Sequence, residues 1–303
     1  MISVIVCTYN QEKYLAQALD SILMQVCDEP FEILIGDDCS TDNTSKIADD
    51  YQLRNPNIIR VVRPDKNGGA SLNIVRLANE AKGDYLSICD GDDYWLQADV
   101  LQKQLAVFRV NPDVGMVCAK AKRYIQEKGD YEGILGYVGA EDLMTMLRDN
   151  LDVAAPTIAF RTELIKKCIA ESKWYIDNNW FYDTIMAYWF AYNSHIKFIG
   201  EELAAYRILS HSAGHSILPE KEAEYARRYF AVKWHFILMH PNICSEEVFE
   251  LLMRDYDART KYIAGISSHK VRNSKAYRLG NWVINPFRKF INKEQNGFYK
   301  IFS

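Results

Sequence analysis

Over residues 1–93 four short apolar runs alternate with helical patterns, and three of the four runs end in a cluster of polar residues. Residues 2–7 are apolar and β-branched, the mark of a strand buried on both faces of a parallel sheet. A helix over 11 to about 24 follows, with Asn10 placed to cap it. Leu15, Ala18, Leu19 and Ile22 recur at i, i+3, i+4 and i+7 and form one apolar face. Residues 31–36 read as a second strand. It ends in Asp37-Asp38-Cys39-Ser40-Thr41-Asp42-Asn43-Thr44, a stretch of turn and capping types. A helix to about residue 53, a strand over 58–62, the turn Lys66-Asn67-Gly68-Gly69, a helix over 71–81 and a strand over 85–89 complete the alternation. This pattern predicts an α/β domain with a mainly parallel sheet. Ligands of such sheets sit beyond the strand C-termini. The polar clusters at 8–10, 37–44 and 90–93 are therefore expected to converge on one crevice.

Beyond residue 97 the pattern is mixed. Residues 98–109 read as a helix, with Leu101, Leu105 and Phe108 on one face. Residues 114–119 read as a strand, and 124–138, rich in Gly and Tyr, as a hairpin or loop. Helices are expected over 141–148 and 162–170, with a strand over 157–160 between them. An aromatic-rich helix is expected over 183–192, then short strands over 197–199 and 203–208. From residue 219 onward the pattern is helical. The expected organisation is one domain over 1–217 and a helical extension over 218–303.

The 303 residues are 49% hydrophobic and 25% charged, which excludes a mainly disordered or fibrous chain. Basic and acidic side chains number 36 and 40, a net charge of -4. That balance argues against nucleic acid as a whole-surface partner. The cysteines, Cys7, Cys27, Cys39, Cys89, Cys118, Cys168 and Cys244, show no CxxC spacing. Reduced thiols fit them better than a disulfide framework or a zinc ribbon. No apolar run approaches about 18 residues and no charged leader precedes the first strand, so a cytoplasmic setting is expected.

Asp90-Gly91-Asp92-Asp93 puts three carboxylates into four residues just past a buried strand. Carboxylates this close repel unless a cation sits among them. An all-oxygen donor set suits a hard ion such as Mg2+ or Mn2+. The plainer alternative is a solvated acidic turn. Asp37-Asp38 is a second acidic pair, able to accept from a base edge or a ribose, or to cap a helix. Thr8-Tyr9-Asn10 offers main-chain contacts and a ring that stacks on a base, or simply a strand end.

In order along the chain stand Cys7-Thr8-Tyr9-Asn10, the segment Gly36 to Asp42, Asn67-Gly68-Gly69 with Asn73, and Gly83-Asp84-Tyr85 leading to Asp90-Gly91-Asp92-Asp93-Tyr94-Trp95. Each is weak alone. In this order, over about residues 1–110, they resemble family 2 of the inverting glycosyltransferases. The resemblance implies the GT-A fold, a Rossmann-like, mainly parallel sheet flanked by helices. It also implies a nucleotide-diphosphate sugar donor, most often a UDP-sugar, held with Mn2+ or Mg2+. Thr8, Tyr9 and Asn10 would lie around the base and ribose. Asp38, with Asp37 beside it, matches the family carboxylate that reads the uracil edge, and Asn73 matches a polar donor-site position. Asp92 is the first expected metal ligand, and Asp93 and Asp90 are the next. Inverting transfer is a single displacement, so a base must take the acceptor hydroxyl proton opposite the diphosphate. Asp183 matches the family base, although many members have Glu-Asp where this chain has Tyr182-Asp183. Asp177 and Glu202 are the other candidates.

The segment from Tyr206 to Ser216 resembles a family loop that closes over the diphosphate. It gives His215, ahead of His211, as a further metal ligand. Arg207 is placed to pair with phosphate or to make a salt bridge. The Gln-x-x-Arg-Trp motif of processive synthases is absent from the sequence, which implies one or a few sugars added per binding event. The implied setting is assembly of a bacterial surface glycan on a sugar or lipid-linked acceptor. Residues 270–293 carry seven Lys and Arg and no acid, interleaved with Trp282, Phe287 and Phe290. Such a segment can lie on an anionic membrane face, or pack as a terminal helix with a solvated basic side. Two rival functions stay open. One is an inactive nucleotide-sugar-binding or scaffold protein. The other is a sugar-1-phosphate nucleotidylyltransferase, whose Gly-rich phosphate loop is missing from the end of the first strand.

Overall fold

The computed structural model describes residues 1–136, 141–149, 153–180, 182–210 and 219–243, with 245, 246, 248, 250, 253 and 254. The chain divides into two compact units, Met1–Ile208 and Leu209–Ser303. The expected boundary at 217/218 falls outside the described residues.

The first unit opens with β1 (Ile2–Thr8), α1 (Leu15–Leu23), β2 (Phe31–Asp37), α2 (Thr44–Arg54), β3 (Ile59–Val62), α3 (Ala70–Glu80) and β4 (Tyr85–Ile88). These four strands lie parallel in the order β3-β2-β1-β4. β1 is buried along nearly its whole length, which matches its unbroken apolar run. The predicted face of α1 is fully buried: Leu15, Ala18, Leu19 and Ile22 are all 0% exposed. Leu15, Leu19 and Ile22 pack with Val4, Val6, Ile33 and Ile35 of the sheet in one core. Burial of apolar surface, at about 25 cal/mol per Å², stabilises this seam.

Asn10 does not cap α1. It takes a left-handed conformation (φ 55°), which Asn tolerates. Its Oδ1 accepts from the Thr41 amide at 2.8 Å. A turn over 12–14 intervenes before the helix, whose N-cap position is Tyr14. The capping residues of 37–44 serve this entry instead. Ser40 Oγ accepts from Asn10 N at 3.0 Å, Thr44 Oγ1 from Gln11 N at 2.7 Å and Asp42 from Glu12 N at 3.2 Å. The two polar clusters thus satisfy each other and lock the ends of β1 and β2 together.

The rest of the unit holds β5 (Tyr94–Trp95), α4 (Val100–Val110), β6 (Val114–Ile125), β7 (Asp130–Leu135), α5 (Leu143–Asp149), β8 (Ala159–Arg161), α6 (Thr162–Glu171), α7 (Lys173–Asp177), α8 (Asp183–Asn193) and β9 (His195–Ile208). The sheet continues β4-β8-β6-β9-β5, with β7 paired to β6 as a hairpin. This half is mixed: β8 and β5 run antiparallel to their neighbours, while β6 and β9 are parallel. The two short strands expected over 197–199 and 203–208 are one strand. The apparent break at Gly200-Glu201 is an irregularity in the β6–β9 ladder, absorbed by register shifts at Ala119/Lys120 and Lys120/Ala121. β5 has no pattern of its own to read, being two residues long, and forms because β9 is there to pair with.

The second unit begins with α9 (Pro219–Met239), followed by a short 3-10 turn, Pro241–Ile243. The basic segment 270–293 lies outside the described residues. Among the described residues no helix is long and apolar enough to cross a membrane.

Candidate active site

The C-terminal ends of β1, β2 and β4 lie side by side, as the register Thr8↔Asp37 and Ile5↔Ile88 requires. Backbone bonds tie the loops that follow: Asp38 N donates to Thr8 O at 3.0 Å, and Gly91 N to Cys7 O at 2.9 Å. A Cβ on Gly91 would meet Gln11 Oε1 and the Thr8 side chain, so glycine lets the acidic loop lie against the end of β1. Thr8 Oγ1 and Gln11 Oε1, beside Gly91, are buried without a hydrogen-bond partner. Unmet polar atoms in a cleft mark a place where a ligand group or water completes the bonding. Tyr9 stands 47% exposed at the same edge, with Asn10 also exposed.

Four expected donor-site residues turn inward instead. Asp37 is fully buried and accepts from Ser40 N, Ser45 Oγ and Arg63 Nε. Burial alone would raise its carboxyl, but these bonds outweigh it and hold it below the ordinary range. Asp38 accepts from Gly68 N at 3.1 Å and Gly69 N at 2.7 Å, and so fastens the glycine turn that opens α3. Asn73 gives its Nδ2 to Gly36 O at 2.6 Å and accepts from Arg76 at its Oδ1. Arg207, 4% exposed, is the fourth. Three tyrosine rings, Tyr14, Tyr94 and Tyr124, lie 4.8–5.2 Å from its guanidinium carbon. It donates to Asp92 O at 2.6 Å, Gln17 Oε1 at 2.7 Å and Gln126 Oε1. Its backbone N–H donates to Asp93 Oδ1 at 2.7 Å. In this structure Arg207 holds the acidic loop in shape. Strand pairing explains why: Tyr94↔Ala205 brings the end of β9 against the loop exit.

The remaining carboxylates gather. Burial first, then Asp92 and Asp183, push the Asp90 carboxyl up to about 7. Burial, Asp92 and Asp90 raise Asp93 well above the ordinary range. Asp183 opens α8, where its Oδ1 accepts from Thr184 N at 2.7 Å. The Tyr206 hydroxyl feels all four: burial, then Asp93, Asp183, Asp92 and Asp90, raise it far above its usual value. The other base candidates lie in surface ion pairs, Asp177 with Lys173 and Glu202 with Lys122. His215 and His211 fall outside the described residues.

The donor set fits a hard divalent cation. Its oxygens are carboxylates, Asp93 buried and Asp90 and Asp92 half-buried, and bound positive charge relieves both repulsion and burial. Among the described residues no three His, Cys, Asp or Glu side chains form a ready-made cage. A site that shares its ion with a diphosphate needs only one or two protein carboxylates.

Tyr206, Tyr14, Tyr94, Tyr124, Gln17 and Gln126 carried no sequence signal for these roles. Pairing of β9 with β5 and β6 brings Tyr94, Tyr124 and Tyr206 together, and α1 supplies Gln17 and, at its N-cap, Tyr14.

Residues 3–169 match the family model for glycosyl transferase family 2. The chain belongs to glycosyl transferase family 2. A Nostoc sp. relative described as an uncharacterized glycosyltransferase is 31% identical over 234 residues, covering 74% of this chain and 70% of that one. Mycobacterial relatives described as uncharacterized proteins are 37% identical over 127 residues, covering 42% of this chain and 36% of their own length. Staphylococcus aureus TarS 1-349, solved with UDP-GlcNAc, superposes with a TM-score of 0.56 at 20% identity, over 96% of this chain and 88% of that one. The Pyrobaculum calidifontis mannosyltransferase PcManGT, solved with GDP-Man and Mn2+, gives 0.55 at 16% identity, over 97% and 87%. The fold is thus that of the GT-A glycosyltransferases.

Proposed function

We propose that this chain transfers a sugar, with inversion, from a nucleotide-diphosphate donor to an acceptor hydroxyl, and that the donor is a UDP-sugar. The observation that carries the reading is the acidic loop Asp90–Asp93, which follows β4 and is tied to the end of β1 by Gly91 N to Cys7 O, within electrostatic reach of Asp183 and Tyr206. Tyr9 and Asn10 form the exposed rim for the base and ribose, with Thr8 Oγ1 and Gln11 Oε1 beneath. Asp37, Asp38 and Asn73 hold that rim from behind. Asp92 and Asp90 would hold Mn2+ or Mg2+, with Asp93, whose Oδ1 accepts from Arg207 N, beside them. When bound, the metal supplies positive charge against the leaving diphosphate. Asp183, at the N-terminus of α8, takes the acceptor hydroxyl proton.

The expected setting is bacterial surface glycan assembly, on a sugar or a lipid-linked acceptor, with residues 270–293 lying on an anionic membrane face. The test is release of nucleoside diphosphate from UDP-glucose, UDP-galactose, UDP-N-acetylglucosamine, GDP-mannose and dTDP-rhamnose, with Mn2+ or with EDTA. Slow donor hydrolysis that needs Mn2+ and favours the UDP-sugars is expected. Hydrolysis unaffected by EDTA would refute the metal role, and cleavage of GDP-mannose alone would refute the donor class.

A further inference from the structure

We propose that Asn179 is a positioning residue that fixes the Asp183 loop against the donor crevice by capping α3 from outside its own sequence. The proposal rests on the reading of Asp183 as the base. Helix α3 cannot cap itself through a side chain, because its N-cap position is Gly69. The first amides of a helix have no partner within it. Asn179, distant in sequence, fills that place: its Oδ1 accepts from Ser71 N at 3.1 Å. The contact is close as well as polar. A Cβ on Gly69 would lie 2.9 Å from both Oδ1 and Nδ2 of Asn179.

Both ends of this strap are fixed. On the donor side Gly69, itself left-handed at φ 85°, donates to Asp38, and Asp38 N donates to Thr8 O at the end of β1. On the other side Asn179 is left-handed at φ 54° and closes α7, donating to Ile176 O at 2.9 Å. Trp180 follows, 8% exposed and edge-on to Trp174 at 5.5 Å. The loop then enters α8 at Asp183. One side chain thus joins the end of β1, through Asp38 and the glycine turn, to the loop that carries the base. A base displaced by about 1 Å can lose on the order of 100-fold in rate.

Three variants of the full chain separate the parts of this role. Asn179→Ala removes the amide and disfavours the left-handed backbone. Asn179→Gly removes the amide but keeps that backbone. Asn179→Asp keeps the Oδ1 acceptor and suits a helix N-terminus. Each is measured for kcat and KM on the donor that the wild-type chain cleaves fastest, and for binding of UDP with Mn2+. Asn179→Ala and Asn179→Gly are expected to lower kcat at least about tenfold, with UDP binding within about twofold of wild type. Asn179→Asp is expected to restore most of kcat. Unchanged kcat in Asn179→Gly, beside an inactive Asp183→Asn, would overturn the strap and leave the base assignment standing. Equal loss of kcat and UDP binding in all three variants would also overturn it, as the mark of a merely structural residue. Wild-type turnover by Asp183→Asn would instead remove the base reading on which the strap depends.

Discussion

Asp183→Asn is expected to cut turnover by about 10²- to 10⁴-fold, the usual contribution of a positioned general base. Binding of nucleoside diphosphate with Mn2+ is expected to stay within about twofold, because the loss falls on the transition state rather than on donor binding. The substitution is close to isosteric. An Asn side-chain oxygen can still accept from Thr184 N, the 2.7 Å bond that Asp183 makes at the start of α8. The helix should therefore begin as before, and only the proton acceptor is removed. Initial-rate kinetics beside calorimetric titration of UDP and Mn2+ give both numbers. Turnover near that of the wild type would show that the proton goes elsewhere.

Asp92→Ala is expected to weaken Mn2+-dependent nucleotide binding by more than about 100-fold, since loss of even an outer-shell partner costs 10- to 100-fold. Folding should not suffer. Arg207 grips this residue through its backbone carbonyl, which alanine keeps. Asp92 also raises the carboxyls of Asp90 and Asp93, so its removal relieves repulsion in the metal-free protein. The metal-free melting temperature is therefore expected to hold or rise while the metal-dependent gain disappears. A fall in both together would mark Asp92 as structural.

The doubly wound half of the fold was legible because its signals are local. The β-branched run of β1 and the apolar stripe Leu15, Ala18, Leu19 and Ile22 need no distant partner to be read. The family pattern was legible for the same reason, being carried by four motifs in order. Asn10 misled, because a capping residue in sequence can serve another segment. Here its amide oxygen meets Thr41 across the sheet end. Asp37, Asp38, Asn73 and Arg207 mark the limit more sharply. Their identity announces polar chemistry, and only the folded chain shows whether that chemistry faces a ligand or a neighbour. Asp37 faces Arg63, and Arg207 faces three tyrosines. Tyr206 shows the converse: its sequence neighbours Ala204 and Ala205 are apolar, yet β9 brings its hydroxyl within electrostatic reach of four carboxylates.

Binding of a nucleoside diphosphate in the acidic crevice is expected to run through a divalent metal. A thermal-melt panel of UDP, GDP, dTDP and CDP, each with and without Mn2+, tests it directly, because a ligand that binds the folded state raises the melting temperature by mass action. A rise with UDP that requires Mn2+ is the predicted result. No rise with any of the four, with or without metal, would contradict it and favour a scaffold built on the same fold.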